Sequence, residues 1–144
     1  LPDWLTETVV LLPEGAPHHA RVRERLNSIT GFRLLGSADR MAGLMAEATL
    51  CIGAVGGTAW ERMALGLPSV LVPVAQNQQP AAERLAAAEL AVLLPAADIE
   101  TRLAECLDAV RSRWPELAQR NLEVCDAAGT LRVAERLLAA AGPG

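Results

Sequence analysis

Short apolar runs alternate along the chain with stretches in which apolar residues recur three and four positions apart. Thr8, Val9, Val10, Leu11 and Leu12 read as a buried strand, followed by a turn-rich loop over residues 13–17. Residues 18–29 carry a surface-helix pattern with Val22, Leu26 and Ile29 turned inward, and residues 32–35 form a second strand. Met41, Leu44, Met45 and Ala48 stand at i, i+3, i+4 and i+7 and predict a helix over residues 39–48. Leu50, Cys51 and Ile52 follow as a third strand. Residues 58–65 then read as a helix stopped by Gly66 and Pro68. Residues 69–74 are the most continuously apolar strand. Residues 80–88 form a helix with Pro80 near its first position, and residues 91–94 a fifth strand. Beyond these the chain is helical. Ile99, Leu103, Cys106, Leu107 and Val110 share one face, and further helices are predicted over residues 114–125 and 130–141, before a frayed end at Gly142, Pro143 and Gly144.

Strands and helices alternating through short links are the signature of an α/β chain with a Rossmann-like, doubly wound parallel sheet. The length of 144 residues suits one domain spanning residues 1–144. A chain of this size buries roughly 70% of its unfolded surface and needs no disulfides to fold. Hydrophobic residues make up 51% of the chain but aromatics only 3%, so the core is aliphatic. The net charge of −4 leaves no basic surface to grip a nucleic acid backbone. All thirteen cations are Arg, which together with the abundant Ala reflects coding bias rather than function. Cys51, Cys106 and Cys125 are odd in number and lack CxxC spacing. They indicate neither a disulfide framework nor a zinc site and fit a reducing cytoplasm, with Cys51 a buried thiol. No apolar run approaches the length of a membrane span. A chain that opens at Leu1 and enters a strand within a few residues starts as an excised domain would.

In open parallel sheets ligands bind beyond the carboxyl ends of the strands. Two loops there carry unusual chemistry. Gly53-Ala54-Val55-Gly56-Gly57-Thr58 leaves a strand and opens a helix. Its glycines and the free N–H groups of a helix start suit a phosphate, or else the glycines serve a tight turn with positive φ. It is neither a Walker loop nor a good dinucleotide fingerprint. Thr58 and Glu61 form T-x-x-E, which reads as a capping box or, alternatively, as a carboxylate placed to hold a ribose diol. Spacing alone favours the cap. Ala75-Gln76-Asn77-Gln78-Gln79 offers neutral donors and acceptors for sugar hydroxyls or a diphosphate, or is a solvated loop. The adjacent His18 and His19 read as solvent-facing, and Arg21, Arg23 and Arg25 as a solvated face.

Four segments together resemble a known family. They are Met41 to Ala48 (MAGLMAEA), Ile52 to Arg62 (IGAVGGTAWER), Leu65 to Ser69 (LGLPS) and Ala75 to Gln78 (AQNQ). In these the chain resembles the UDP-sugar hydrolase of pseudaminic acid biosynthesis, which releases UDP from a UDP-linked diacetamido-trideoxyhexose and is related to the MurG-type glycosyltransferases. The likeness is dense over residues 36–90 and returns weakly at residues 126–133, with Gly129, Arg132 and Val133. The resemblance implies the C-terminal, UDP-holding domain of a glycosyltransferase-B fold, partnered by an N-terminal domain that carries the catalytic His. It places Gly56, Gly57 and Thr58 against the diphosphate, Glu61 on the ribose, and Asn77 and Gln78 toward the diphosphate and the departing sugar. Asn77 is the one possible auxiliary to catalysis, and His18 and His19 take no catalytic part. The implied partners are a UDP-sugar and that N-terminal domain, without nucleic acid, membrane span, metal or cofactor. Pro13 to Pro17 (PEGAP) departs from the small polar residues usual in the family, and Glu14 there would be unfavourable beside a diphosphate. Two other readings of the whole protein stay open: a MurG-like UDP-sugar glycosyltransferase, and a nucleotide-sugar-binding subunit completed by a separate partner.

Overall fold

The computed structural model describes residues 2–37 and 39–141, so the expectation of a frayed end at Gly142, Pro143 and Gly144 lies outside the described residues. Among the described residues five short strands are present, and every pairing is parallel. Contacts divide the chain into two units, Leu1–Leu44 and Met45–Gly144.

In the first unit, β1 (Thr8–Leu11) pairs with β2 (Phe32–Leu35) in the register Thr8 to Phe32 through Leu11 to Leu35. Helix α1 (His19–Asn27) connects them. The strand predicted as buried is only partly so, and Leu11 is exposed. Val22 and Leu26 are half-buried as expected, whereas Ile29 lies past the end of α1 and is exposed. The larger correction concerns His19, which is buried. Its Nδ1 stands 3.0 Å from the Leu12 carbonyl oxygen and 3.1 Å from that of Pro13. Two carbonyl acceptors require a proton on that nitrogen, so Nδ1–H donates to the end of β1 and ties it to the start of α1. Helix α2 (Met41–Glu47), shorter than its pattern suggests, runs from the last residues of the first unit into the second, where Met45 is buried and Ala48 exposed.

The second unit holds the core. Here β3 (Cys51–Gly53), β4 (Ser69–Leu71) and β5 (Val92–Leu93) form a sheet in that order. The middle strand is buried throughout, the expected state of a parallel strand covered on both faces. The apolar run continues to Val74, but the ladder does not. Pro73 has no N–H to donate, and Val74 is exposed. Helices α3 (Gly57–Ala64), α4 (Gln79–Ala87), α5 (Ile99–Ser112), α6 (Trp114–Val124) and α7 (Gly129–Ala141) complete the unit. Pro80 sits in the first turn of α4, where a missing N–H costs nothing. The α5 stripe buries Cys106, Leu107 and Val110, while Ile99, in its first turn, is exposed. Burial pushes the Cys106 thiol up, against the opposing pull of Arg102, so it stays protonated. Val55, Leu71, Ala82 and Ala91 pack as one cluster, with Leu85 and Leu93 against it. Among the described residues no helix is long and apolar enough to cross a membrane.

The stop after α3 has a definite geometry. Leu67 N–H donates to the Arg62 carbonyl and Gly66 N–H to that of Met63, each at 2.9 Å, with Gly66 at φ +63°. This is the Schellman pattern, which needs a left-handed residue at that position. A Cβ on Gly66 would also stand 3.0 Å from Leu122 Cγ and 3.3 Å from the Ala118 carbonyl oxygen on α6. Gly66→Ala is therefore expected to destabilise the protein by about 1–3 kcal/mol, read as a lower urea midpoint. An unchanged midpoint would mean that α3 does not end in this way.

Candidate functional site

Because β3 and β4 are parallel neighbours, the loops that leave them start side by side. Val72 N–H donates to the Gly53 carbonyl at 2.9 Å and joins the two loop roots. Between β3 and α3 the chain needs only three residues. Val55, buried in the core cluster, anchors the loop from below.

The glycines that follow are not there for their own backbone. Gly56 caps α3 in an extended conformation, φ −165° and ψ −159°. The described glycines with positive φ are Gly31 and Gly66, so the tight-turn explanation of Gly56-Gly57 is overturned. Among the described residues, and apart from the adjoining chain, no heavy atom lies within 4 Å of where a Cβ would stand on either Gly56 or Gly57. Both face open space, and both leave the backbone bare.

The capping box is overturned as well. The N-cap is Gly56, so Thr58 is the second residue inside the helix, and no side chain caps α3. Glu61 therefore stands two positions beyond the place from which it could reach back. Both side chains are exposed, and neither has a hydrogen-bond partner among the described residues. Three residues apart, they share one side of the helix, about 4.5 Å apart along its axis. The backbone N–H groups of Gly57 and Thr58 likewise have no acceptor among the described residues, whereas that of Ala59 bonds to Gly56. Unpaired N–H groups and the positive end of the helix dipole thus coincide on bare backbone.

A residue that the sequence reading did not single out lies beneath this loop. Arg62 is 3% exposed. Its Nη2 donates to the Ala54 carbonyl at 2.8 Å and its Nη1 to Cys51 Sγ at 3.3 Å, while Nε has no partner. No carboxylate pairs with it among the described residues. The signal was present: Ala59, Arg62 and Met63 fall at i, i+3 and i+4 and are the buried residues of α3. An arginine on that stripe has to be inside. Cys51, expected to be buried, is half-buried, with its sulfur turned to the guanidinium.

The second loop forms a 3-10 turn, Gln76–Gln78, ahead of α4. Gln78 Oε1 accepts from Val74 N–H at 2.9 Å, which leaves its amide NH2 free for other partners. Gln79 Nε2 donates to Glu83 at 2.9 Å. Asn77 is exposed and has no partner among the described residues. Across the described residues, no group of three or more His, Cys, Asp and Glu could hold a metal ion.

A parallel α/β sheet with a bare glycine pair at a helix start is suited to hold a phosphate group beyond the carboxyl ends of its strands. Residues 8–137 match the family model of the glycosyltransferase family 28 C-terminal domain. The chain belongs to that family, and its fold is the Rossmann-like one of the glycosyltransferase-B class. It is a nucleotide-sugar-binding, glycosyltransferase-like domain. Among curated proteins none matches the chain.

The placement of Thr58 can be checked directly. With no cap to lose, Thr58→Ala is expected to change stability by less than about 0.5 kcal/mol in urea denaturation. A loss of about 1 kcal/mol or more would restore Thr58 as the cap of α3.

Proposed function

We propose that residues 1–144 act as the UDP-binding, C-terminal domain of a longer two-domain enzyme. In this reading the enzyme hydrolyses a UDP-linked diacetamido-trideoxyhexose of the kind used in pseudaminic acid-type sugar biosynthesis. The observation that carries the nucleotide part is the Gly56-Gly57 pair. It has open space on its side-chain side, needs no special φ, and adjoins two unpaired N–H groups at a helix start. Glycines without an internal reason are explained by something outside that approaches the backbone closely, and the N–H groups make that something an anion.

In this reading the diphosphate rests on Gly56, Gly57 and Thr58. Glu61, one turn further along α3 and free of any capping duty, takes the ribose diol through its two carboxylate oxygens. Asn77 and the free amide of Gln78 turn toward the diphosphate and the departing sugar. Backbone N–H groups that meet the growing charge on UDP lower the barrier to its departure. Water attacks the anomeric carbon, the bond to the diphosphate oxygen breaks, and an N-terminal domain supplies the general base. The preference for water over a sugar acceptor rests on the likeness of Ile52 to Arg62 (IGAVGGTAWER) to the hydrolase string.

Calorimetry separates the roles. Glu61→Gln is expected to weaken UDP binding about tenfold or more, because a charge-assisted hydrogen bond contributes about 1.5–3 kcal/mol. Binding of inorganic pyrophosphate and the thermal midpoint should stay as they are. Equal UDP affinity in the variant and the parent would remove Glu61 from the ribose. For the reaction, the full-length enzyme in isotopically labelled water is expected to release UDP and free sugar, with the label at the anomeric carbon. UDP release that requires an added sugar acceptor would replace hydrolysis by glycosyl transfer.

A further inference from the structure

Arg62 is a buried cation that takes no direct part in holding UDP. Buried charges are ordinarily paired with an opposite charge, because leaving water is costly. Among the described residues this guanidinium, a permanent cation, hydrogen-bonds only to a thiol and one backbone carbonyl, and its Nε has no hydrogen-bond partner. Its neighbours on the buried stripe of α3 are Ala59 and Met63, and a Met or Leu would continue that stripe without the cost.

Two local features are arranged around it. A Cβ on Gly53 would fall 2.5 Å from Arg62 Nη1, so the first glycine of the loop makes room for the guanidinium. The Ala54 carbonyl points at Nη2. In a trans peptide the C=O and the following N–H point in opposite directions. Fixing the Ala54 oxygen toward Arg62 therefore sends the Val55 N–H the other way, and it has no acceptor among the described residues. The arginine thus sets the orientation of the peptide from which the glycine pair departs.

We infer that Arg62 is the positioning residue of the anion-binding loop. From beneath, it orients the loop through Ala54 and supplies the positive charge that an anion on Gly56, Gly57 and Thr58 compensates. It does not touch that anion. The inference rests on the diphosphate reading and gives it a consequence: phosphate binding and the burial of Arg62 are coupled, each stabilising the other.

The test uses inorganic pyrophosphate, UDP and uridine in calorimetric titrations of the parent chain, Arg62→Gln and Arg62→Lys. Arg62→Gln is expected to bind pyrophosphate and UDP about tenfold or more weakly, with uridine binding unchanged. Arg62→Lys keeps the charge but not the planar fork, and is expected to bind pyrophosphate better than Arg62→Gln. A measurement on the parent chain guards against variants that fail to fold: the Nε–H resonance of Arg62 is expected to shift when pyrophosphate is added. If the parent chain binds pyrophosphate while that resonance stays in place, or Arg62→Gln binds as tightly as the parent, the inference falls and the diphosphate reading stands. Parity of the Lys and Gln variants overturns its electrostatic half. If the parent takes up neither pyrophosphate nor UDP, the diphosphate reading itself falls and the inference with it.

Discussion

The buried middle strand is the constraint on which the second unit depends. β4 is covered along its whole length and carries a parallel neighbour on each edge, β3 and β5. Parallel pairing brings the carboxyl ends of adjacent strands to the same side. The glycine loop after β3 and the amide-rich turn after β4 therefore begin together, pinned by the Val72 to Gly53 hydrogen bond. The Schellman stop at Gly66 contributes from the opposite end of α3, since it turns the chain from the helix into Leu67, Pro68 and the start of β4. Leu67 and Pro68 are buried, so the exit of α3 is as tightly specified as its entry is open.

That contrast between a packed exit and a bare entry is where structure becomes chemistry. The glycines of one short motif divide by physical cause. Gly53 is small because an arginine lies against it, and Gly56 and Gly57 are small while nothing lies against them. The first requirement is internal to the fold, and the second points outward. Around them, among the described residues, polarity is organised with one sign: unpaired N–H groups at the helix start, and a buried guanidinium with no carboxylate partner. The net charge of the chain is negative, so this local positive character comes from placement and not from composition.

Much of this was legible in the sequence. All five strands and the helices between them followed from apolar periodicity, because elements that bury one face must repeat at their own period. The strand over residues 69–74 was overextended because hydrophobicity continues past Pro73 while hydrogen bonding cannot. The motif was visible too, but its capping was misread. T-x-x-E is a capping box only when the Thr is the N-cap, and here the N-cap lies two residues earlier, on Gly56. His19 was misplaced because a polar residue in a polar helix gives no sign that two carbonyls await it at the end of β1. Arg62 carries two opposed signals: its position on the α3 stripe announces burial, and its charge argues against it.

We propose that UDP rests on the start of α3. The most direct test is a two-dimensional amide NMR titration of the chain with UDP. The N–H resonances of Gly56, Gly57 and Thr58 are expected to move most and to move together, as one binding event. Saturable UDP binding that leaves those three resonances in place would contradict this placement.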